Sequence, residues 1–177
     1  MTTRKLADAF SFCPQCGTPT KPGQHPFQCA DAKCDFTLFF GPVAAVAGIV
    51  TDSDGKVLFL KRAKDPGKGK LGLPGGFVDA GETVEAALAR EVFEETALKA
   101  TAISYIASFP NVYVYRGIAL DVTDMFYRCD VESFETLSAQ EGEVTGFHLV
   151  KPTPADLDNM AFESNRRALE LFLEARS

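Results

Sequence analysis

A stretch of 23 residues, Gly76 to Leu98 (GFVDAGETVEAALAREVFEETAL), constrains this chain more than any other. It gathers Glu82, Glu85, Glu91, Glu94 and Glu95 around a single arginine, Arg90. Residues three and four apart on a helix share a face, so Glu91, Glu94 and Glu95 are expected to point roughly one way. A solvated helix face usually balances its acids with lysines four residues on, and none stands within this stretch. Val84, Ala87, Leu88, Val92 and Phe93 predict an opposite, apolar face packed on a core. The entry Leu73-Pro74-Gly75-Gly76 brings bare backbone close to the acids. Hard divalent cations bind such oxygen clusters, Mg²⁺ through a few carboxylates plus substrate phosphates. The pattern therefore predicts a metal site for phosphate chemistry rather than a merely solvated face.

The chain has 177 residues, 46% of them apolar, which suffices for one good core and a small appendage. No apolar run reaches the length of a membrane span. The first residues, MTTRKLADAF, lack the apolar stretch of a secretion signal, so the expected compartment is the cytoplasm. A net charge of −6 argues against a nucleic-acid-binding face. An acidic chain acting on an anionic substrate needs cations to neutralise its site, which agrees with the glutamate cluster.

Four of the five cysteines crowd near the N-terminus: Cys13 and Cys16, then Cys29 and Cys34. Paired cysteines on two turns supply the four thiolates of a tetrahedral zinc site. Disulfides are the alternative, weakened by the missing secretion signal. His25 is a further alternative, as a substitute for one thiolate. A site with four protein ligands has no open position and reads as structural. Few apolar residues surround it, so metal binding is expected to supply much of its stability. Cys129 falls in a predicted strand and reads as a core thiol.

Val43 to Val50 reads as a buried strand. Asp52-Ser53-Asp54-Gly55 is a turn, and Val57 to Leu60 is the expected hairpin partner. A short strand, Leu71 to Pro74, leads into a helix from about Thr83, its N-cap, to Thr96. Strands are expected over 101–109, 117–129 and 146–150. Pro152-Thr153-Pro154 opens a helical tail. This is an α/β chain with a mixed sheet and helices on its faces.

The 23-residue stretch fits the pattern G-x5-E-x7-R-E-U-x-E-E-x-G-U, with U apolar, at eight of nine restricted positions. The exception is Ala97, where the pattern has a helix-ending glycine. On these residues the chain resembles the Nudix hydrolases. The resemblance implies an α/β/α sandwich and catalysis with Mg²⁺ or Mn²⁺. It implies Glu94 and Glu95 as metal ligands, and Glu91 as a ligand or as acceptor of a proton from the attacking water. The backbone carbonyl of Gly75 is a further ligand, and Arg90 holds a box glutamate in place. Glu82 would support the loop. Many members add an acid from a later loop; Glu141 is the first choice, with Glu143 in reserve. The cysteine segment is similar to the zinc ribbon of the NADH pyrophosphatase branch. That implies a Zn²⁺-binding ribbon over 1–40, a hydrolase domain over 41–177, and a homodimer contact through the ribbon.

The branch's S-Q-P-W-P-F-P-x-S segment is missing. Tyr105 to Tyr115 reads YIASFPNVYVY in its place. Phe109, Tyr113 and Tyr115 are candidates to stack on a base, and Asn111 or Arg116 to read edges or phosphates; plain strand packing is the alternative. Lys61, Arg62, Lys64, Lys68 and Lys70 precede the box, some to meet phosphates and others solvated. His148 reads as a strand residue rather than a base. The expected reaction is hydrolysis of a nucleoside diphosphate linked to another group, of ADP-ribose, NADH or FAD type. Cleavage of a nucleoside triphosphate is the second reading. A non-catalytic module that binds a nucleotide or a protein is the third.

Overall fold

The computed structural model describes residues 3–176; Met1, Thr2 and Ser177, at the outer ends of the two predicted domains, lie outside the described residues. In chain order the elements are β1 (Arg4–Lys5), a 3-10 turn (Leu6–Ala9), β2 (Phe27–Gln28), β3 (Thr37–Leu38), β4 (Val43–Val50), β5 (Val57–Arg62), β6 (Leu71–Gly72) and β7 (Gly75–Phe77). Helix α1 (Val84–Thr96) follows, then β8 (Ala100–Tyr115), β9 (Ile118–Val131), β10 (Val144–Val150), α2 (Pro154–Asp158) and α3 (Glu163–Glu174).

The chain divides into two compact units. The first holds Met1–Val43 and the hairpin tip Val112–Val122. Here β1 pairs in parallel with the start of β9, Arg4 opposite Ile118. Arg116 and Gly117 both take positive φ, as a two-residue turn between strands requires. Strands β2 and β3 pair antiparallel, Phe27 opposite Leu38. Phe27 is buried among the rings of Phe10 and Phe36. Within Met1–Val43, Phe27 and Cys13 are the only described hydrophobic residues that are fully buried. That is too little core to hold such a segment by itself.

The second unit holds Ala44–Asn111 and Thr123–Ser177. Strand β4 pairs with β7 on one side and β9 on the other, and β8 pairs with β9. A separate three-stranded sheet runs β10-β5-β6. The five-stranded sheet is mixed, with the parallel pair β1–β9 within the first unit and the antiparallel pair β4–β7 within the second. Side chains of a strand alternate between faces. Val46 and Val50 of β4 and Leu58 of β5 therefore join Leu88 and Val92 of α1 in one cluster. Ala47 and Ile49 of β4, with Val57 and Phe59 of β5, join Leu169 and Phe172 of α3 in another. Both strands are apolar all round because a helix covers each face, which is the α/β/α sandwich.

Two expectations are corrected. Strands β4 and β5 do not form a hairpin. The turn is made, with Asp52 Oδ1 accepting from the N–H groups of Asp54 and Lys56 at 3.0 and 2.8 Å. Pairing stops after one bridge, Thr51 with Val57, because β4 and β5 find their long partners in different sheets. Phe93 is 52% exposed rather than packed in the core. The buried stripe of α1 is Ala87, Leu88, Val92 and Thr96, and Phe93 stands one residue off it.

Helix α1 begins at the Thr83 N-cap, whose hydroxyl accepts from Ala86 N–H at 3.2 Å. It ends on Ala97 in the left-handed conformation, φ 58 and ψ 14. Alanine bears a steric penalty there that glycine does not. The last carbonyls are taken by the segment that follows β9: Ser138 N–H donates to Thr96 O at 2.9 Å, and Thr136 Oγ1 to Ala97 O at 3.0 Å. Replacing Ala97 by glycine is expected to stabilise the protein by about 1 kcal/mol, net of the glycine's freedom in the unfolded chain. Calorimetry should then record a rise in Tm of about 2–4 °C; an unchanged or lower Tm refutes the assignment of strain to this cap.

Candidate active site and metal centre

Two glycines bring the helix acids against the backbone. A Cβ on Gly75 would collide with Val46 O and lie 2.7 Å from Ala47 Cα, so only glycine lets β7 lie this close to β4. A Cβ on Gly76 would fall on the Glu91 carboxylate. Gly75 N–H donates to Glu95 Oε2 at 2.9 Å. Glu91 and Glu95 thus face the glycine turn, while Glu94, one residue short of Glu95, stays exposed.

Arg90 sits among the remaining acids. Its Nη1 reaches Glu91 Oε1 at 2.7 Å and Glu94 Oε2 at 3.3 Å; its Nη2 reaches Glu82 Oε1 at 2.7 Å and Phe77 O at 3.1 Å. Glu82 also accepts from Asp79 N–H at 2.8 Å, tying the loop to the helix. These contacts hold the Glu82 carboxyl below its usual range, the Arg90 bonds contributing most. Burial works the other way on Glu91, whose proton affinity is raised even with Arg90 beside it. Burial pushes Glu95 up to about 8, against the Gly75 hydrogen bond. Among the described residues no cation stands within ion-pair distance of Glu95. Its oxygens are hard donors in a partly dry place with excess negative charge, which suits a divalent cation.

Of the two later acids, Glu143 adds its charge to both Glu91 and Glu95. Its carbonyl accepts from Ala63 N–H at 2.9 Å, and its side chain pairs with Lys64 at 2.8 Å. Glu141, exposed in the turn before it, makes none of these contacts. Glu85 is exposed. His148 lies on β10 and meets Asp156 at 3.2 Å.

The aromatic segment lies on β8. Phe109 lies against Phe126, and the Arg167 guanidinium covers its ring at 4.2 Å. Asn111 donates to Asp124 at 2.9 Å, and Ser164 at the start of α3 binds the same carboxylate. Nothing in the sequence spacing pointed to this trio, because its members come from three elements, β8, β9 and α3. Tyr115 is exposed beside Arg116.

In the first unit the ligand atoms of Cys13, Cys16, Cys29 and Cys34 all lie within 4.8 Å of one another. Cys16 Sγ and Cys29 Sγ are 3.5 Å apart, and Cys13 Sγ and Cys34 Sγ 3.9 Å. Four sulfurs around one tetrahedral zinc stand about 3.8 Å apart, so the set fits that ion. Among the described residues this is the one group of such compactness; the box carboxylates are more open, with Arg90 between Glu91 and Glu94. Cys129 is a core thiol, raised to about 11 by burial.

The Glu95 shift fixes a pH dependence. A carboxyl whose folded value lies above its unfolded one stabilises the fold while protonated, and that contribution is lost as pH rises toward the folded value. The window here runs from the ordinary 4.5 up to about 8. Protein dialysed free of Mg²⁺ and Mn²⁺ is expected to lose Tm across this window, and saturating Mg²⁺ to restore it at the upper end. Glu95→Gln should flatten the metal-free profile; a wild-type Tm level over the same range contradicts the burial of this charge.

Residues 41–172 match the family model described as NUDIX domain. Over 78 residues the chain is 51% identical to a protein named ADP-ribose pyrophosphatase from Methanocaldococcus jannaschii, covering 44% of this chain and 43% of that one. Over 156 residues it is 31% identical to a protein named NAD-capped RNA hydrolase NudC from Actinobacillus succinogenes, covering 80% and 54%. The chain thus spans about half the length of these curated relatives. Among solved structures, a NUDIX hydrolase from Nitrosomonas europaea superposes with a TM-score of 0.64 at 25% identity, over 94% of this chain and 92% of that one. The NUDIX domain of Shewanella oneidensis NrtR, complexed with ADP ribose, superposes with a TM-score of 0.63 at 25% identity, over 78% and 91%. With most of its length inside the matched region, and the glycine turn and helix acids set out as above, the chain belongs to the NUDIX family.

Proposed function

We propose that the protein hydrolyses the pyrophosphate bond of a nucleoside diphosphate joined to another group, with ADP-ribose as the leading type. The observation that carries this reading is Glu95, a carboxylate clamped on Gly75 N–H with no cation within ion-pair distance among the described residues. The names of the Methanocaldococcus jannaschii relative and of the NrtR complex support the substrate class. That of the Actinobacillus succinogenes relative, an NAD-capped RNA hydrolase, keeps NAD-type diphosphates within it.

Glu91, Glu94, Glu95 and the Gly75 carbonyl would hold Mg²⁺ or Mn²⁺, which when bound supplies charge neutralisation and a more acidic water. The residues do the rest. Arg90 fixes Glu91 through Oε1, which leaves Oε2 for the cation or for a proton of the attacking water. The water oxygen bonds to phosphorus as the bridging P–O bond breaks, and its proton passes to the carboxylate. We take Glu143 rather than Glu141 as the later acid, because Glu143 acts on Glu91 and Glu95. We also assign Zn²⁺ to the four cysteines, in a ribbon over 1–40 ahead of a hydrolase domain over 41–177. Four free thiols suit a reducing compartment such as the cytoplasm.

ADP-ribose cleaved at this bond gives two monophosphates, whereas a triphosphate gives pyrophosphate; product analysis over a substrate panel separates the two. Glu91→Gln should lower turnover by roughly 10²–10⁴ without loss of fold, and wild-type turnover in that variant removes Glu91 from the mechanism. Elemental analysis should find one zinc per chain, and stripping it should abolish the structure of the first unit alone. A zinc-free protein with an intact first unit defeats the ribbon assignment.

A further inference from the structure

Five cations stand in the ten residues from Lys61 to Lys70. Lys61, Lys68 and Lys70 make no ion pair among the described residues, and Arg62 is turned onto Pro66 O at 2.9 Å and the Phe162 ring. Lys64 alone pairs with an acid, Glu143, at 2.8 Å. The pair is not a chance meeting of two free side chains. Ala63 N–H donates to Glu143 O, Val144 lies opposite Arg62 in the sheet, and Thr145 Oγ1 donates to Lys61 O at 3.1 Å. The loop is closed behind Lys64 by Gly69 N–H on Arg62 O at 2.9 Å. Both backbones are fixed while both side-chain ends reach water, 63% exposed for Lys64 and 46% for Glu143.

An exposed ion pair contributes little to stability. Its effect here is on charge: Glu143 adds its charge to Glu91 and Glu95, and Lys64 answers that charge at 2.8 Å. An ammonium is a compact charge on a flexible stem and can exchange one anionic oxygen for another. A diphosphate arriving with its cation brings such oxygens and needs the carboxylate that Lys64 holds.

Resting on the function proposed above, we infer that Lys64 is a positioning residue that exchanges partners. It holds Glu143 off the acid cluster in the empty enzyme, and on substrate entry releases Glu143 toward the cation and pairs with a phosphate oxygen of the diphosphate. No covalent bond changes in this exchange.

The exchange predicts effects of opposite sign, which a plain surface pair or a plain phosphate contact would not give. The whole chain of 177 residues, loaded with zinc, is used, with Mn²⁺ binding read by paramagnetic resonance without nucleotide and steady-state kinetics read with ADP-ribose. Lys64→Met should bind Mn²⁺ roughly 3- to 10-fold tighter, since a competing cation beside the acids is gone. The same variant should raise KM about 10-fold with kcat changed less than about 3-fold. Lys64→Arg should restore most of KM, Glu143→Gln should weaken Mn²⁺ binding, and Lys64→Met in that background should no longer tighten it. Unchanged Mn²⁺ affinity in Lys64→Met overturns the exchange, whatever KM does, and so does tightening that persists beside Glu143→Gln. Unchanged KM with tighter Mn²⁺ also overturns it, since the phosphate half then fails. Wild-type protein inert toward the diphosphate panel would end the function reading instead, and the Mn²⁺ comparison would still judge the resting pair.

Discussion

The second unit depends on how closely two glycines approach their neighbours. No side chain fits at Gly75 against the Val46 carbonyl, or at Gly76 against the Glu91 carboxylate. With both positions bare, β7 can lie on β4 and beneath α1 at once. The acids of α1 then rest on main chain where water would otherwise be. Taking a carboxylate out of water is costly, and the raised proton affinities of Glu91 and Glu95 are that cost in another form. The packing of three short elements and the chemistry of the site are therefore one constraint. A larger residue at either glycine disturbs both.

Arg90 decides where the unanswered charge is left. One guanidinium binds Glu82, Glu91, Glu94 and the Phe77 carbonyl, joining the loop before the helix to the helix's own acids. It does not reach Glu95. The deficit of cations is therefore greatest at the inner end of the cluster, beside the Gly75 N–H, and Glu143 adds to it. Two further cations bear on this end among the described residues: Lys64 meets Glu143, and Arg62 acts on Glu95 without pairing with it. A dication taken up at the inner end would meet no competing protein cation in contact with Glu95.

Local signals were legible in the sequence. The Thr83 cap, the buried stripe Ala87-Leu88-Val92, the strands around 43–50 and 57–62 and the cysteine quartet all follow from spacing, because each is settled within a few residues. Pairing was not legible. Apolar runs such as Val43–Val50 and Val57–Leu60 bury both faces, so their pattern names no partner, and the nearest run looked like one. The Ser164 contact with Asp124 and the contacts of Glu143 were hidden for the same reason, since each joins segments remote in the chain. Ala97 is the instructive intermediate. Its departure from the pattern was visible, but only the backbone shows that the left-handed turn is kept with alanine in it.

The two units stand in opposite relations to a metal. In the first, Phe27, Cys13 and Val122 are the buried hydrophobic residues among those described, and the cysteine sulfurs lie at separations suited to a closed tetrahedron. An ion held by four thiolates has no position left for substrate and no reason to leave during turnover. In the second, two clusters of buried side chains form a core without any ion, and the box carboxylates are open on one side. An ion there is held by few protein oxygens and completes its shell with water or phosphate. On the reading proposed here, the ribbon metal is then part of the fold, and the box metal is part of the substrate complex. Its affinity depends on the diphosphate that arrives with it, which is why the cation nearest to Glu143 bears on binding of both.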